Sequence, residues 1–170
     1  MATTSPAPVA VKQPAPVRPF GWRDKIGYAF GDLGNDMTFM IQAFFFLVYF
    51  TKVIGIDPAH VGALLLGARV LDAFTDIGMG RLIDTAKPAR DGKFKPWIRR
   101  IAIPVALSSA LMFQSFIADW SYGARLGWMI GFYFLWGSIF YTAINIPYGS
   151  MASVISAKAD ERATLSVWRS

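Results

Sequence analysis

Two aspartates, Asp72 and Asp76, stand one helical turn apart in a stretch from His60 to Ile83 that is otherwise fit to lie in a membrane. An ionised carboxylate in hydrocarbon is costly, so such groups face a protein interior or a water cavity and mark an ion or proton path. Arg69 lies three residues before Asp72 and seven before Asp76, which puts all three on one helical face. Two like charges at this spacing repel, and a cation or a proton relieves the repulsion. Oxygen-rich sites suit hard cations such as sodium, and Thr75 adds a hydroxyl nearby. The alternative is an ion-pair network with Arg69 that only locks helices together. Two carboxylates against one guanidinium leave one charge over, which favours a titratable or cation-binding site.

Other polar residues sit in equally apolar surroundings. Asp36 follows Lys25 by 11 residues, or about 16 Å along a helix, close to the middle of a hydrocarbon layer about 30 Å thick. It reads as an acceptor for a polar solute, as a proton site, or as a structural partner for Arg69. Asp32, one turn earlier, is expected to be wetter. The segment YTAINIPYGS offers Tyr141, Thr142, Asn145 and Tyr148, with Tyr141, Asn145 and Tyr148 on one face. Pro147 removes a backbone donor and loosens the helix there. Freed carbonyls in a membrane helix are tolerated where they line a cavity; ordinary hydrogen bonding between helices is the other reading of this segment.

The elements that must carry these residues follow from composition. Of 170 residues, 54% are hydrophobic and only 16% charged, against about 25% in a typical soluble domain. The mean hydropathy is +0.39, and the apolar residues gather into blocks long enough to span a bilayer. The absence of Cys removes thiolate chemistry, and the single His60 cannot build a histidine metal site. No Ser/His/Asp arrangement is present, so no enzymatic reaction is expected. The formal net charge of +6 is not spread as a nucleic-acid patch would be. Lys12, Arg18, Arg23 and Lys25 lie near the start, and Lys87, Arg90, Lys93, Lys95, Arg99 and Arg100 lie around residues 84–100. Basic residues in alternate connections are what the positive-inside rule predicts for a multi-pass membrane protein.

The pattern predicts an all-α membrane protein. A Pro- and Ala-rich cytoplasmic tail, expected to be disordered, covers residues 1–22. Four transmembrane helices cover 25–50, 59–83, 98–117 and 125–157, and the start of a fifth covers 164–170. Both ends fall in the cytoplasm, and the basic 84–98 loop lies on the same side. The glycines Gly27, Gly31, Gly34, Gly62 and Gly67 read as close helix-packing positions. The Phe44–Phe46 run reads as lipid-facing or packing surface.

Four motifs then carry a resemblance: KIGYAFGDLGND in the first span, GARVLDAFTDIGMGRLID in the second, DGKFKPWI in the basic loop and LWGSIFYTAINIPYGSM in the fourth. With ADERATLSVWR, they resemble the glycoside–pentoside–hexuronide cation symporters, the melibiose permease-like family of the major facilitator superfamily, over residues 22–170. The resemblance implies part of the N-terminal six-helix bundle of a twelve-helix fold in the inner (plasma) membrane. It implies symport of a sugar or glycoside with Na⁺, Li⁺ or H⁺. By motif, Asp72 and Asp76 resemble the cation-binding carboxylates, with Thr75 and Thr142 as helpers. Asp36 resembles the sugar-hydroxyl acceptor, Arg69 a cavity residue near both sites, and Arg169 a sugar-contacting arginine of helix five; Tyr141 and Asn145 complete the implied substrate-facing set. Three positions depart from the melibiose permease pattern: Asn35 replaces a lysine, Asn145 an aspartate and Gly149 a tryptophan. The family's length of about 450 residues implies that the missing C-terminal part supplies the other half of the cavity, and that 170 residues alone do not transport. The rival expectations are a self-contained four-helix interaction or regulatory protein and, more weakly, a small four-helix multidrug exporter.

Overall fold

The computed structural model describes residues 18–88 and 92–169, and every regular element among them is helical. The expected tail lies largely outside the described residues, as do Arg90 and Asp91 of the basic loop. Five rods make up the molecule: α1 (Trp22–Val53), α2 (Pro58–Thr85), α3 (Phe94–Met112), α4 (Tyr122–Ile155) and α5 (Ala159–Arg169). A single turn of 3₁₀ helix, Ser115–Asp119, lies between α3 and α4. α1 and α4 are long and apolar enough to cross a membrane. α2 has 28 residues, but Arg69, Asp72 and Asp76 interrupt its apolar sequence.

Local chemistry sets the helix ends. α1 starts where the Asp24 carboxylate accepts the Gly21 amide at 2.9 Å and pairs with Arg18. α2 starts with Pro58 in its first turn and Asp57 capping the Ala59 amide at 2.8 Å. Ser156 precedes α5, accepting the Lys158 amide at 3.1 Å and donating to Glu161 at 2.5 Å. α3 begins at Phe94, four residues ahead of the expected span, because the residues of the KPW motif fall inside its first turn; it stops at Met112 and the chain turns through the 3₁₀ segment.

Packing has a clear centre. α4 contacts α2, α3 and α1, while α5 packs on α1. One apolar core, including Phe46, Phe50, Ile54, Val61, Met112, Met129 and Trp136, gathers at the end carrying the 54–57 and 113–121 connections. The connections there are tied by the Arg125 guanidinium donating to the Ile54 carbonyl at 2.5 Å and the Tyr122 hydroxyl accepting the Asp57 amide at 3.1 Å. A smaller cluster of Tyr28, Tyr148 and Leu165 joins α1, α4 and α5 at the opposite end. Tyr28 and Tyr148 stack at 4.8 Å, and each hydroxyl donates to the other's carbonyl. Gly31 makes this possible, since a Cβ there would lie 2.8 Å from the Tyr148 ring. The other four glycines of the expected packing set have nothing within 4 Å of a built Cβ, so the close-packing role narrows to Gly31. The Phe run is split by its angular spacing: Phe44 and Phe45 face outward and Phe46 is buried.

Candidate functional site

α2 and α4 carry matched polar pairs, each four residues apart. The Ser138 hydroxyl donates to Asp72 Oδ1 at 2.6 Å, and the Thr142 hydroxyl donates to Asp76 Oδ1 at 3.0 Å. The two bonds form the rungs of a short ladder between the helices. Ser138 and Thr142 are buried, Asp72 is half-buried and Asp76 is open to the cleft. Between and around the rungs α4 widens into a π-helical stretch, Leu135–Tyr141. Such a widening turns successive side chains and leaves backbone groups off the regular helical pattern, which is why it recurs at functional positions. The single Thr142 hydroxyl proton lies within reach of a second acceptor, the Gly137 carbonyl at 3.2 Å.

A cleft of about 390 Å³ opens beside the ladder, lined by Arg69, Asp72, Asp76, Tyr141, Thr142, Asn145 and five neighbours. Six of the expected site residues thus meet at one place. Arg69 is exposed to this cleft, and among the described residues it makes no ion pair with Asp72, Asp76 or Asp36 within 4 Å. The locking network weighed against a cation site is therefore not formed. Thr75 spends its hydroxyl on its own helix, donating to the Asp72 carbonyl at 3.1 Å, and does not line the cleft. Among the described residues no three His, Cys, Asp or Glu side chains converge as a metal cluster; the polar groups here are two carboxylates and two hydroxyls, a hard-oxygen set.

Asp36 and Arg169 lie elsewhere. They line a second cleft of about 370 Å³ between α1 and α5, together with Asp32 and Trp168. Arg169 Nε is 2.9 Å from Asp32 Oδ1, and the Asp32 side chain is only 5% exposed. The expectation that Asp32 is the wetter of the two first-helix aspartates is thus corrected: Asp36 is half-buried and Asp32 is buried. The cause is α5, which covers that face and brings a guanidinium to it. The Arg169 guanidinium also lies 5.5 Å above the Tyr148 ring. Tyr141 lines the cleft beside the ladder, stacked on Phe39 at 5.7 Å and against Trp136 at 5.2 Å.

The departures from the permease pattern cluster. Asn35 Nδ2 donates to Asn145 Oδ1 at 3.3 Å, so two of the three altered positions face each other as a neutral amide pair between α1 and α4. The third, Gly149, leaves room beside Arg169, whose nearest nitrogen would be 3.8 Å from a Cβ built there. Sequence reasoning missed Ser138. Its signal was available: Ser138 and Thr142 repeat the four-residue spacing of Asp72 and Asp76.

The chain matches the family model described as MFS/sugar transport protein over residues 27–170. It is 37% identical over 148 residues to the glucuronide carrier protein homolog of Escherichia coli K12, covering 87% of this chain and 32% of that protein. A second Escherichia coli K12 protein, whose name carries the words glycoside/cation symporter, is 35% identical over 147 residues, covering 86% of this chain and 31% of the relative. The isoprimeverose transporter of Lactiplantibacillus pentosus is 32% identical over 166 residues, 98% of this chain and 33% of its own length. The chain spans about a third of the length of these relatives.

Proposed function

The chain belongs to the MFS/sugar transport protein family, whose members are transporters and not enzymes, and on that premise we propose that it forms the cation-facing wall of a sugar or glycoside symporter. Asp72 and Asp76 take the coupling ion, which is Na⁺, Li⁺ or H⁺. Ser138 and Thr142 steady the carboxylates between visits. When a cation arrives, the Thr142 proton turns to Gly137 O, and a hydroxyl lone pair joins the carboxylates. Thr75 stands behind Asp72, fixing its backbone. The substrate spans the two clefts, between Arg69, Tyr141 and Asn145 in one and Asp36 and Arg169 in the other. Carboxylate and amide oxygens accept its hydroxyl protons, the two arginines donate, and Tyr141 offers a ring face.

The observation that carries this reading is the ladder of Ser138–Asp72 and Thr142–Asp76 at the edge of the cleft. Two carboxylates in an apolar helix, with hydroxyls as their bonded neighbours and no arginine neutralising them, are arranged for a visiting positive charge. In the bilayer, α1, α2, α3 and α4 are the proposed spans and α5 opens a fifth. The basic 84–98 loop and the 1–22 tail lie on the cytoplasmic side of the plasma membrane. Alternating access rocks two halves about a central site, so these helices transport only together with a second bundle.

The test is a set of Na⁺, Li⁺ and H⁺ binding isotherms on the purified protein and on Asp72→Asn and Asp76→Asn. Saturable occupancy lost in both variants supports the assignment. Occupancy unchanged in both removes it.

A further inference from the structure

The GKFKPW motif stands out in the sequence, and its tryptophan has a partner that the cleft does not account for. Trp97, in the first turns of α3, donates its indole N–H to the Ala143 carbonyl of α4 at 2.7 Å. That carbonyl is a particular one. In a regular helix the amide of residue 147 would bond the carbonyl of residue 143, but residue 147 is a proline and has no N–H. Pro147 is among the fully buried side chains, and Ala143 is 2% exposed, so water does not readily replace the missing donor. An unmade hydrogen bond at such a place costs the full desolvation of the carbonyl.

We propose that Trp97 is a positioning residue for the α2–α4 ladder: its indole N–H substitutes, from another helix, for the amide that Pro147 lacks. Ala143 directly follows Thr142, whose hydroxyl forms the Asp76 rung, and lies two residues before Asn145, which accepts the Asn35 amide. With the Ala143 carbonyl satisfied, α4 is held in the register that sets Thr142 against Asp76. The end of the basic connection that leads into α3 is thereby joined mechanically to the carboxylates. Its other visible tie, Lys93 Nζ donating to the Asp84 carbonyl at 2.8 Å, holds the same connection to the end of α2. α2 and α4 are thus both held by residues at the start of α3, Lys93 and Trp97. The proposal rests on the assignment of the ladder as a cation site only for its effect on ion binding; the link itself stands on backbone geometry.

The test uses Trp97→Phe, which keeps the ring and removes the donor, and Trp97→Phe with Pro147→Ala, which returns an amide to Ala143 from within α4. Amide hydrogen exchange on the detergent-purified protein reads residues 72–76 and 142–146. Trp97→Phe raises exchange there by up to about tenfold, the equivalent of one buried hydrogen bond, while the Tyr28–Tyr148 end is unchanged. The double variant restores it. Because a general packing defect would not be rescued by an amide in α4, rescue is the deciding result. Exchange unaffected by Trp97→Phe, spread over the whole molecule, or not recovered in the double variant overturns the proposal. Na⁺ isotherms on the same samples separate the two readings. A weakening in Trp97→Phe that is recovered in the double variant supports both. No Na⁺, Li⁺ or H⁺ occupancy even in the parent, with the exchange pattern as stated, overturns the cation site and leaves the Trp97 link in place.

Discussion

At the level of single side chains, the hydroxyls decide more than their modest polarity suggests. Ser138 meets Asp72 at 2.6 Å, and hydrogen bonds to charged groups contribute about 1.5–3 kcal/mol. Thr142→Val removes the hydroxyl proposed to turn to the cation and is expected to weaken Na⁺ occupancy about tenfold or more, as read from the isotherm midpoint. Ser138→Ala, which removes a bond of the empty state, is expected not to weaken it. Gly31 offers a prediction of the opposite kind, from excess. Its Cβ would press on the Tyr148 ring at 2.8 Å, so Gly31→Ala is expected to cost about 1–3 kcal/mol of stability. Gly34→Ala has open space and is expected to cost nothing; thermal melts of the two variants in detergent make the comparison. The spacing of Asp72 and Asp76 was legible in the sequence because a four-residue repeat of carboxylates in an apolar helix has few explanations. Ser138 was legible only as a spacing, four residues before Thr142, and that spacing gains meaning once Asp72 and Asp76 are known to lie opposite. Asp32 misled for the same reason: its partner, Arg169, is far away in sequence and next to it in space.

At the level of helices, α4 is the element that others are measured against. Its one proline, its glycines and its π-helical turn weaken it as a rod, and α2 and α3 repair it from outside through Asp72, Asp76 and Trp97. Helical character itself was plain from hydropathy. The widening at Leu135–Tyr141 was not, because nothing local in LWGSIFY distinguishes it from ordinary helix; it arises where α4 must turn both Ser138 and Thr142 toward α2. The early start of α3 was likewise hidden, since KFKPW reads as a polar loop until Trp97 is seen against α4. The α1–α5 contact gives the prediction at this scale. Asp32→Asn leaves the Arg169 guanidinium, part-exposed in the second cleft, with a neutral neighbour. With Arg169 able to reach water, the expected loss is about 1–2 kcal/mol, less than for a fully buried pair. Hydrogen exchange should rise in α5 well before it rises in α3.

Across the whole molecule, the proposed topology predicts which surfaces meet water on each side of the membrane. The chain has no cysteine, so a single introduced thiol is a clean reporter. Lys87→Cys in intact cells should resist an impermeant maleimide and react once the membrane is opened, whereas Lys52→Cys should react from outside. The reverse pattern would invert the orientation. The outward-facing Phe30, Phe44, Phe74, Leu66 and Val70, all more than 60% exposed, give the rods an apolar exterior of the kind lipid or further helices cover.

The Asp32–Arg169 pair has a consequence for biogenesis. A ribosome makes α1 first and reaches Arg169 well over a hundred residues later, about ten seconds or more at ordinary elongation rates. Throughout that interval the nascent first helix must be handed to the bilayer with an acid that has no counter-charge. The translocon therefore has to shelter α1, or let it sit shallow with Asp32 near the lipid headgroups, until synthesis delivers the arginine that lets it settle.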